Sequence, residues 1–381
     1  MEAYLDNAAT TRVAEEVRNI INQVMDVDYG NPSSRHQKGL TAGQYIKKAQ
    51  EQIGKTLKVE PKEILFTSGG TESNNMALIG GALANQRRGK HIISTRIEHA
   101  SVYNPLLYLQ ELGYEITFLN VNRQGMVDLE ELRQAIRPDT ILVSVMMVNN
   151  EIGAIEPVEE IGRLVKAVNP NILFHVDAIQ AYGKLKIYPG RWNIDLLSVS
   201  GHKIHGPKGI GFLYIRDKVK VKPLLYGGGQ QKDMRSGTEN VPGIAGLGAA
   251  AKLMYTNHTE KQMQLQRVRQ VFLDGIHQLD GITDNSGEAP HIASISFQGI
   301  QKGEVLLHAL EARGVYCSSG SACSSNHPAI SGTLSAIGLE EELLQATLRF
   351  SFSIDSTVEE AEYAVQVIRE ELDKYRQFIK R

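Results

Sequence analysis

The sequence predicts an α/β protein: a large unit with a mostly parallel sheet of the seven-stranded kind, joined to a smaller α+β unit. Three observations carry this. Through the body of the chain, near-continuous apolar runs rich in β-branched residues alternate with amphipathic stretches, the pattern of parallel strands covered on both faces. A long helical stretch follows "ENVPG" (239–243) and runs to about residue 279, where it bridges to a second unit. The chain has 381 residues, more than a comfortable single core, so two domains are expected.

Each element follows from its local pattern. "EILFTS" (63–68) reads as a strand and "TESNNMALIGGALANQ" after it as a helix. "HIISTRI" (91–97), "EITFLNV" (115–121), "TILVSVMMV" (140–148) and "ILFHVDA" (172–178) read as strands, with "DLEELRQAI" and "VEEIGRLVKAV" as helices between them. "DLLSVS" (195–200) and "GFLYIR" (211–216) follow so closely that part of the sheet is expected to be antiparallel. Beyond the bridge, "HIASISFQG" and "TLRFSFSI" are strands; "GEVLLHALEARG" and "VEEAEYAVQVIREELDKYRQFI" are helices. The expected division is 15–255 for the large domain, with 1–14 and 256–381 forming the small one.

Composition narrows the function. Lys plus Arg number 41 and Asp plus Glu 43, a net charge of −2, which leaves no electrostatic footprint for direct nucleic-acid or anionic-membrane binding. The opening "MEAYLDNAATT" lacks a signal-peptide pattern, and "ILVSVMMV" (141–148) is too short to span a bilayer. Two cysteines, Cys317 and Cys323, make no disulfide framework and lack C-x-x-C spacing. The expected location is the reducing cytoplasm.

The chemistry gathers at the ends of successive strands. "SGGTESNN" (68–75) follows a strand and opens a helix; it is an ordinary glycine turn or a phosphate cradle. Asp177, at the end of "FHVDAIQ", either caps a turn or pairs with a protonated ring nitrogen at the ligand edge of the sheet. Lys203, between Ser200, His202 and "GPKG", is a solvated lysine or a Schiff-base lysine. His202 and His205 lack a partner pattern for a metal site, and none is expected. His99, in "RIEHASV", suits stacking on a flat cofactor or proton transfer, and Asn149 and Asn150, in "VNNEIG", suit amide contacts or a turn. Together, phosphate loop, histidine, asparagine, aspartate and lysine are the set that pyridoxal 5'-phosphate requires.

The motifs "YLDNAATT", "GNPSSRH" (30–36), "TSGGTESNN", "EHASV", "VNNEIG", "HVDAIQ", "SGHKIHGPKG", "RSGTEN", "SSGSACSS" and "LRFSFS" occur in this order over nearly the whole chain. The sequence resembles the cysteine desulfurases of the NifS/IscS type, in the class V aminotransferase branch of fold-type I pyridoxal phosphate enzymes. The resemblance implies that Lys203 forms the Schiff base and removes the α-proton. It implies that His99 stacks on the ring and moves protons, that Asp177 holds the pyridinium, and that Gln180 holds the phenolate oxygen. Gly70, Thr71, Ser200 and His202 would hold the phosphate. Thr238 would reach the phosphate of the neighbouring subunit, which implies a homodimer. Asn150 would sit near cofactor and substrate, Arg349 would clamp the substrate carboxylate, and Asn7 would line the same pocket.

The same resemblance makes Cys323 the thiolate that takes sulfur from L-cysteine, leaving alanine and an enzyme persulfide for a sulfur-acceptor protein. Gly320, Ser321, Ala322, Ser324 and Ser325 around it suit a mobile tether. The span from Cys323 to Gly338, with His327 and Pro328, fits the long-loop group of desulfurases. Cys317, in "GVYC", reads as a packing residue. Housekeeping members carry a longer tail than one ending at Arg381, so iron–sulfur assembly, tRNA thiolation and thiamine supply all stay open as acceptor pathways. The alternative activity is a selenocysteine lyase or another C–S lyase on the same scaffold.

Overall fold

The computed structural model describes residues 1–319 and 331–379. Its main sheet has seven strands in the order Ile64–Thr67, Gly211–Ile215, Leu196–Ser200, Leu173–Asp177, Thr140–Met146, His91–Thr95 and Glu115–Leu119. Gly211–Ile215 runs antiparallel to both neighbours, and the remaining pairings are parallel. Every residue of Thr140–Met146, Leu173–Asp177 and Leu196–Ser200 is buried, as expected for strands covered on two faces.

The covering helices follow from the apolar spacing. Val158–Val168 buries Val158, Ile161 and Val165, which fall on one face at a 3.6-residue period. Leu129–Ala135 starts at Asp128, whose carboxylate accepts from the Glu130 and Glu131 amides. The helix after the first sheet strand runs Gly70–Asn75, passes through a π turn at Met76–Gly80, and continues as Gly81–Asn85.

The long helix expected from 243 to about 279 is two helices, Val241–Tyr255 and His258–Ile276. Thr256 is extended and Asn257 is left-handed (φ 52°), so the backbone leaves the helical path there. Asparagine tolerates that region better than most side chains, so apolar periodicity alone does not reveal the break.

A second sheet has the order Ser318–Ser319, Thr347–Ser351, Ile292–Phe297 and Ile282–Asp284, all antiparallel. Ala3–Tyr4 pairs in parallel with Val315–Tyr316. One apolar core packs around the main sheet; another joins Ala3 and Leu5 to Val268, Phe272, Phe297, Phe350 and Phe352. The N-terminal segment therefore starts in the smaller core and crosses at Ala8 to the larger one. Among the described residues, no helix is long and apolar enough to cross a membrane.

Candidate active site

The parallel strands end on one edge of the main sheet, and a cavity of about 270 Å³ opens there. Asp177 and Ser200 are the last residues of their strands, Gly70 begins a helix just beyond Thr67, and His99 lies just beyond Thr95. Ligands bind at this edge of open α/β sheets because the strand-to-helix turns present backbone and side-chain polar groups there. Gly70, Thr71, His99, Asn150, Asp177, Gln180, Ser200, His202, Lys203 and Arg349 all line the cavity. The fold thus brings together the strand-end residues Gly70, His99, Asn150, Asp177, Ser200 and Lys203 with Gln180 and Arg349, which only the family resemblance implicated.

Lys203 follows the strand Leu196–Ser200 in a short 3₁₀ turn, Gly201–Lys203. Its amine donates to the carbonyls of Ala8 (2.6 Å) and Ala9 (2.7 Å). Its own carbonyl accepts from the Lys184 amine at 2.7 Å. Lys184 is buried, and burial, reinforced by the charge of Lys203, pushes its pKa down to about 7. His202 is pushed down to about 4 by burial and by the lysines around it, and its Nδ1 lies 3.2 Å from Thr10 Oγ1. At neutral pH His202 is therefore an uncharged hydrogen-bonding group.

Asp177 accepts from the Ile179 amide (3.0 Å) and from Asn74 Nδ2 (2.8 Å). Burial raises its pKa against the pull of those bonds. A carboxylate so enclosed is stabilised by any cation that enters the cavity. Burial lowers the pKa of His99, whose Nδ1 caps the helix Ala100–Glu111 through the Ser101 amide. Gln180 donates to the Ala8 carbonyl at 2.9 Å, and His291 lies 3.4 Å from its oxygen.

Arg349, on the strand Thr347–Ser351, donates to the Asn150 carbonyl at 2.8 Å and to Asp6 at 3.0 Å. Its Nε is buried without a hydrogen-bond partner among the described residues. Such a guanidinium is suited to an incoming carboxylate.

The residues fit pyridoxal 5'-phosphate. An amine and a buried acid line one cavity, and a glycine turn with hydroxyls lies beside them. Gly69 has φ +155°, a conformation that L side chains rarely adopt, so the turn stays bare there. The backbone N–H groups at this helix start, with Thr71 and Ser200, form the donor set an anion requires.

Of the remaining expected site residues, Asn7 and Thr238 do not line this cavity, as suits the expected reach of Thr238 to the neighbouring subunit, and Cys323 lies outside the described residues. Asn7 is buried beside the cavity; its amide donates to the Tyr4 and Ser351 carbonyls, fixing the turn that presents Ala8 and Ala9. Thr238 is exposed in the 226–240 loop. The small residues of the tether proposed for Cys323, with His327 and Pro328, also lie outside the described residues. Ala8, Ala9, Asn74, Ser101 and Lys184 escaped notice. Asn74 and Ser101 sit inside motifs already singled out, but nothing in sequence distinguishes Lys184 from a solvated lysine.

The aminotransferase class-V family profile matches residues 3–363. A cysteine desulfurase IscS of Methanosarcina thermophila is 43% identical over 376 residues, covering 98% of this chain and 92% of that protein. A solved NifS-like protein superposes with a TM-score of 0.93 at 37% identity, covering 98% of this chain and 100% of that one. A solved SspA in complex with cysteine superposes with a TM-score of 0.83 at 35% identity, covering 93% and 100%. With the strand-end cavity that holds Lys203 and Asp177, these likenesses mean that the chain belongs to the aminotransferase class-V family, in its cysteine desulfurase branch of the NifS/IscS type.

Proposed function

We propose that this protein is a cysteine desulfurase that converts L-cysteine to L-alanine and carries the released sulfur as a persulfide on Cys323. The observation that carries the reading is that Lys203, Asp177 and Arg349 line one cavity, in a chain whose relatives are named cysteine desulfurases. Pyridoxal 5'-phosphate, when bound, supplies an electron sink for the pair left on the substrate α-carbon. Lys203 would hold it through its amine, Asp177 would face its ring nitrogen, and Gln180 its phenolate oxygen. His99 would lie on its ring, with Asn150 beside it. Gly70, Thr71, Ser200 and His202 would hold its phosphate, with Thr238 supplied from the second subunit of a homodimer.

The chain's own residues then divide the work. Arg349 orients the substrate through its carboxylate. Lys203 takes the proton from the substrate α-carbon, which weakens the Cβ–S bond. The Cys323 thiolate attacks the substrate sulfur; the S–S bond forms as the C–S bond breaks, its electron pair returns to Cβ, which is protonated, and a proton returned to the α-carbon completes alanine. The described ends on either side of Cys323 support this assignment. Ser318–Ser319 pairs with the strand that carries Arg349, and Thr333 accepts from Asn149, the neighbour of Asn150.

The persulfide sulfur passes to an acceptor protein, for iron–sulfur cluster assembly or for thiolation of tRNA or a cofactor. The same proposal puts this chemistry in a reducing compartment, the cytoplasm, where a reactive thiol stays reduced between turnovers. The test is direct. Purified protein with pyridoxal phosphate should release alanine from cysteine, and mass spectrometry should find the added sulfur on Cys323. Cys323→Ala should keep the cofactor absorbance and lose desulfuration; full activity in that variant defeats the persulfide assignment. Normal turnover by Lys203→Ala defeats the assigned base.

A further inference from the structure

A continuous hydrogen-bond chain joins Asp177 to His99 through Asn74 and Ser101. Asn74 Nδ2 lies 2.8 Å from Asp177 Oδ2 and 2.9 Å from Ser101 Oγ, which commits both amide protons. Ser101 Oγ lies 2.8 Å from His99 Nδ1, and the Ser101 backbone N–H reaches the same nitrogen at 3.1 Å. Asn74 and Ser101 are both buried, so water does not compete for these bonds.

Donor accounting fixes the direction of each bond. A backbone N–H only donates, so His99 Nδ1 carries a lone pair and no proton. Ser101 Oγ accepts from Asn74, which leaves its one proton for Nδ1. Asp177 is an acceptor at both oxygens, from Ile179 N–H and from Asn74. Turning the Asn74 amide over would set its oxygen against that carboxylate, so the amide orientation follows from the acid.

We propose that Asn74 and Ser101 are positioning residues that hold His99 as the neutral imidazole protonated at Nε2, so that His99 meets the occupant of the cavity as a hydrogen-bond donor and not as a base. The lone pair that a base needs is already taken at Nδ1 by the helix that His99 caps. Burial and the Lys203 charge disfavour the imidazolium, and the Asp177 charge opposes them. Proton removal from the substrate then falls to Lys203, while His99 Nε2–H is left for a lone pair on the substrate. That catalytic meaning rests on the desulfurase reading; the tautomer itself does not.

The test is nitrogen NMR on protein carrying ¹⁵N-labelled histidine, with and without pyridoxal phosphate, the His99 signals being assigned by their loss in His99→Gln. The expected result is a pyrrole-type Nε2 and a pyridine-type Nδ1 throughout the neutral pH range. Ser101→Ala should shift the Nδ1 resonance, keep the tautomer through the backbone N–H, and lower kcat about three- to tenfold with KM unmoved. An Nδ1–H tautomer, or an imidazolium at neutral pH, overturns the proposal. An Nδ1 resonance that Ser101→Ala leaves in place removes Ser101 from it. Failure of the desulfurase reading is seen separately, as cysteine that yields no alanine whichever nitrogen holds the proton.

Discussion

Asp6 Oδ1 lies 3.0 Å from a terminal nitrogen of Arg349, an ion pair closed across 343 residues of chain. Ser318 Oγ donates to the same carboxylate oxygen at 2.7 Å. The pair ties the N-terminal segment to the strand Thr347–Ser351 and aims a buried guanidinium at the cavity. Arg349 is buried and Asp6 only partly so, and the loss is that of a charge-assisted hydrogen bond. Asp6→Asn should therefore lower stability by about 1–2 kcal/mol. It should also raise KM for cysteine more than it lowers kcat. Urea denaturation and steady-state kinetics check this; unchanged stability and KM would show that Arg349 is held by its other contacts.

Asn149 is a hub behind the cavity. Its oxygen accepts from the Glu151 (2.8 Å) and Ile152 (2.9 Å) amides, and its nitrogen donates to the Ile97 carbonyl (3.0 Å) and to Thr333 (3.3 Å). Asn149→Ala should destabilise by about 2–4 kcal/mol, because it strands buried backbone groups. Asn149→Asp keeps both acceptor bonds but sets a buried carboxylate oxygen against the Ile97 carbonyl, and should lose more. Thermal unfolding of the two variants gives the comparison, and equal melting points would show that the carboxylate is not opposed as argued.

Glu156 sets a pH dependence. It is buried; one oxygen accepts from the Val127 amide at 3.0 Å, the other has no partner among the described residues, and burial raises its pKa to about 8. A carboxyl whose folded pKa lies above its unfolded value of 4.5 holds its proton longer in the folded state. Its contribution is fully present below about pH 4.5 and is lost progressively as pH rises towards 8. Glu156→Gln, of the same shape but without a titrating proton, should gain up to about 4 kcal/mol relative to the natural chain between acid pH and pH 8. Denaturation midpoints measured across that range check it. Parallel curves for the two proteins would mean that Glu156 does not change protonation on folding.

Cys317 should be chemically silent. It packs against the smaller core, and burial pushes its thiol pKa up, away from the reactive thiolate. Cys317→Ala should keep alanine release within about twofold, since it removes packing and no reacting group. In the natural chain, iodoacetamide should label Cys323 first, as peptide mapping would reveal. Preferential loss of activity on Cys317 modification would reverse the assignment of the two thiols.

Much of the site was legible because each group follows its own strand. Gly70, His99, Asn150, Asp177, Ser200 and Lys203 stand just past or at the end of an apolar run, and a parallel sheet puts all such ends on one edge. The break at Thr256–Asn257 was not legible, because a single left-handed asparagine leaves the apolar period on either side intact.

By itself, then, the sequence determined the strand–helix alternation, the edge that carries the chemistry, and the kind of cofactor that edge suits, because all three are written in patterns local to each turn. Only the tertiary structure decided the partners. Lys203 is held by Ala8 and Ala9 across 195 and 194 residues, Arg349 by Asn150 across 199, and Asp177 by Asn74 across 103. These contacts depend on strand order and on the crossing of the N-terminal segment between two cores. Such long-range hydrogen bonds leave no periodic trace in either segment that makes them.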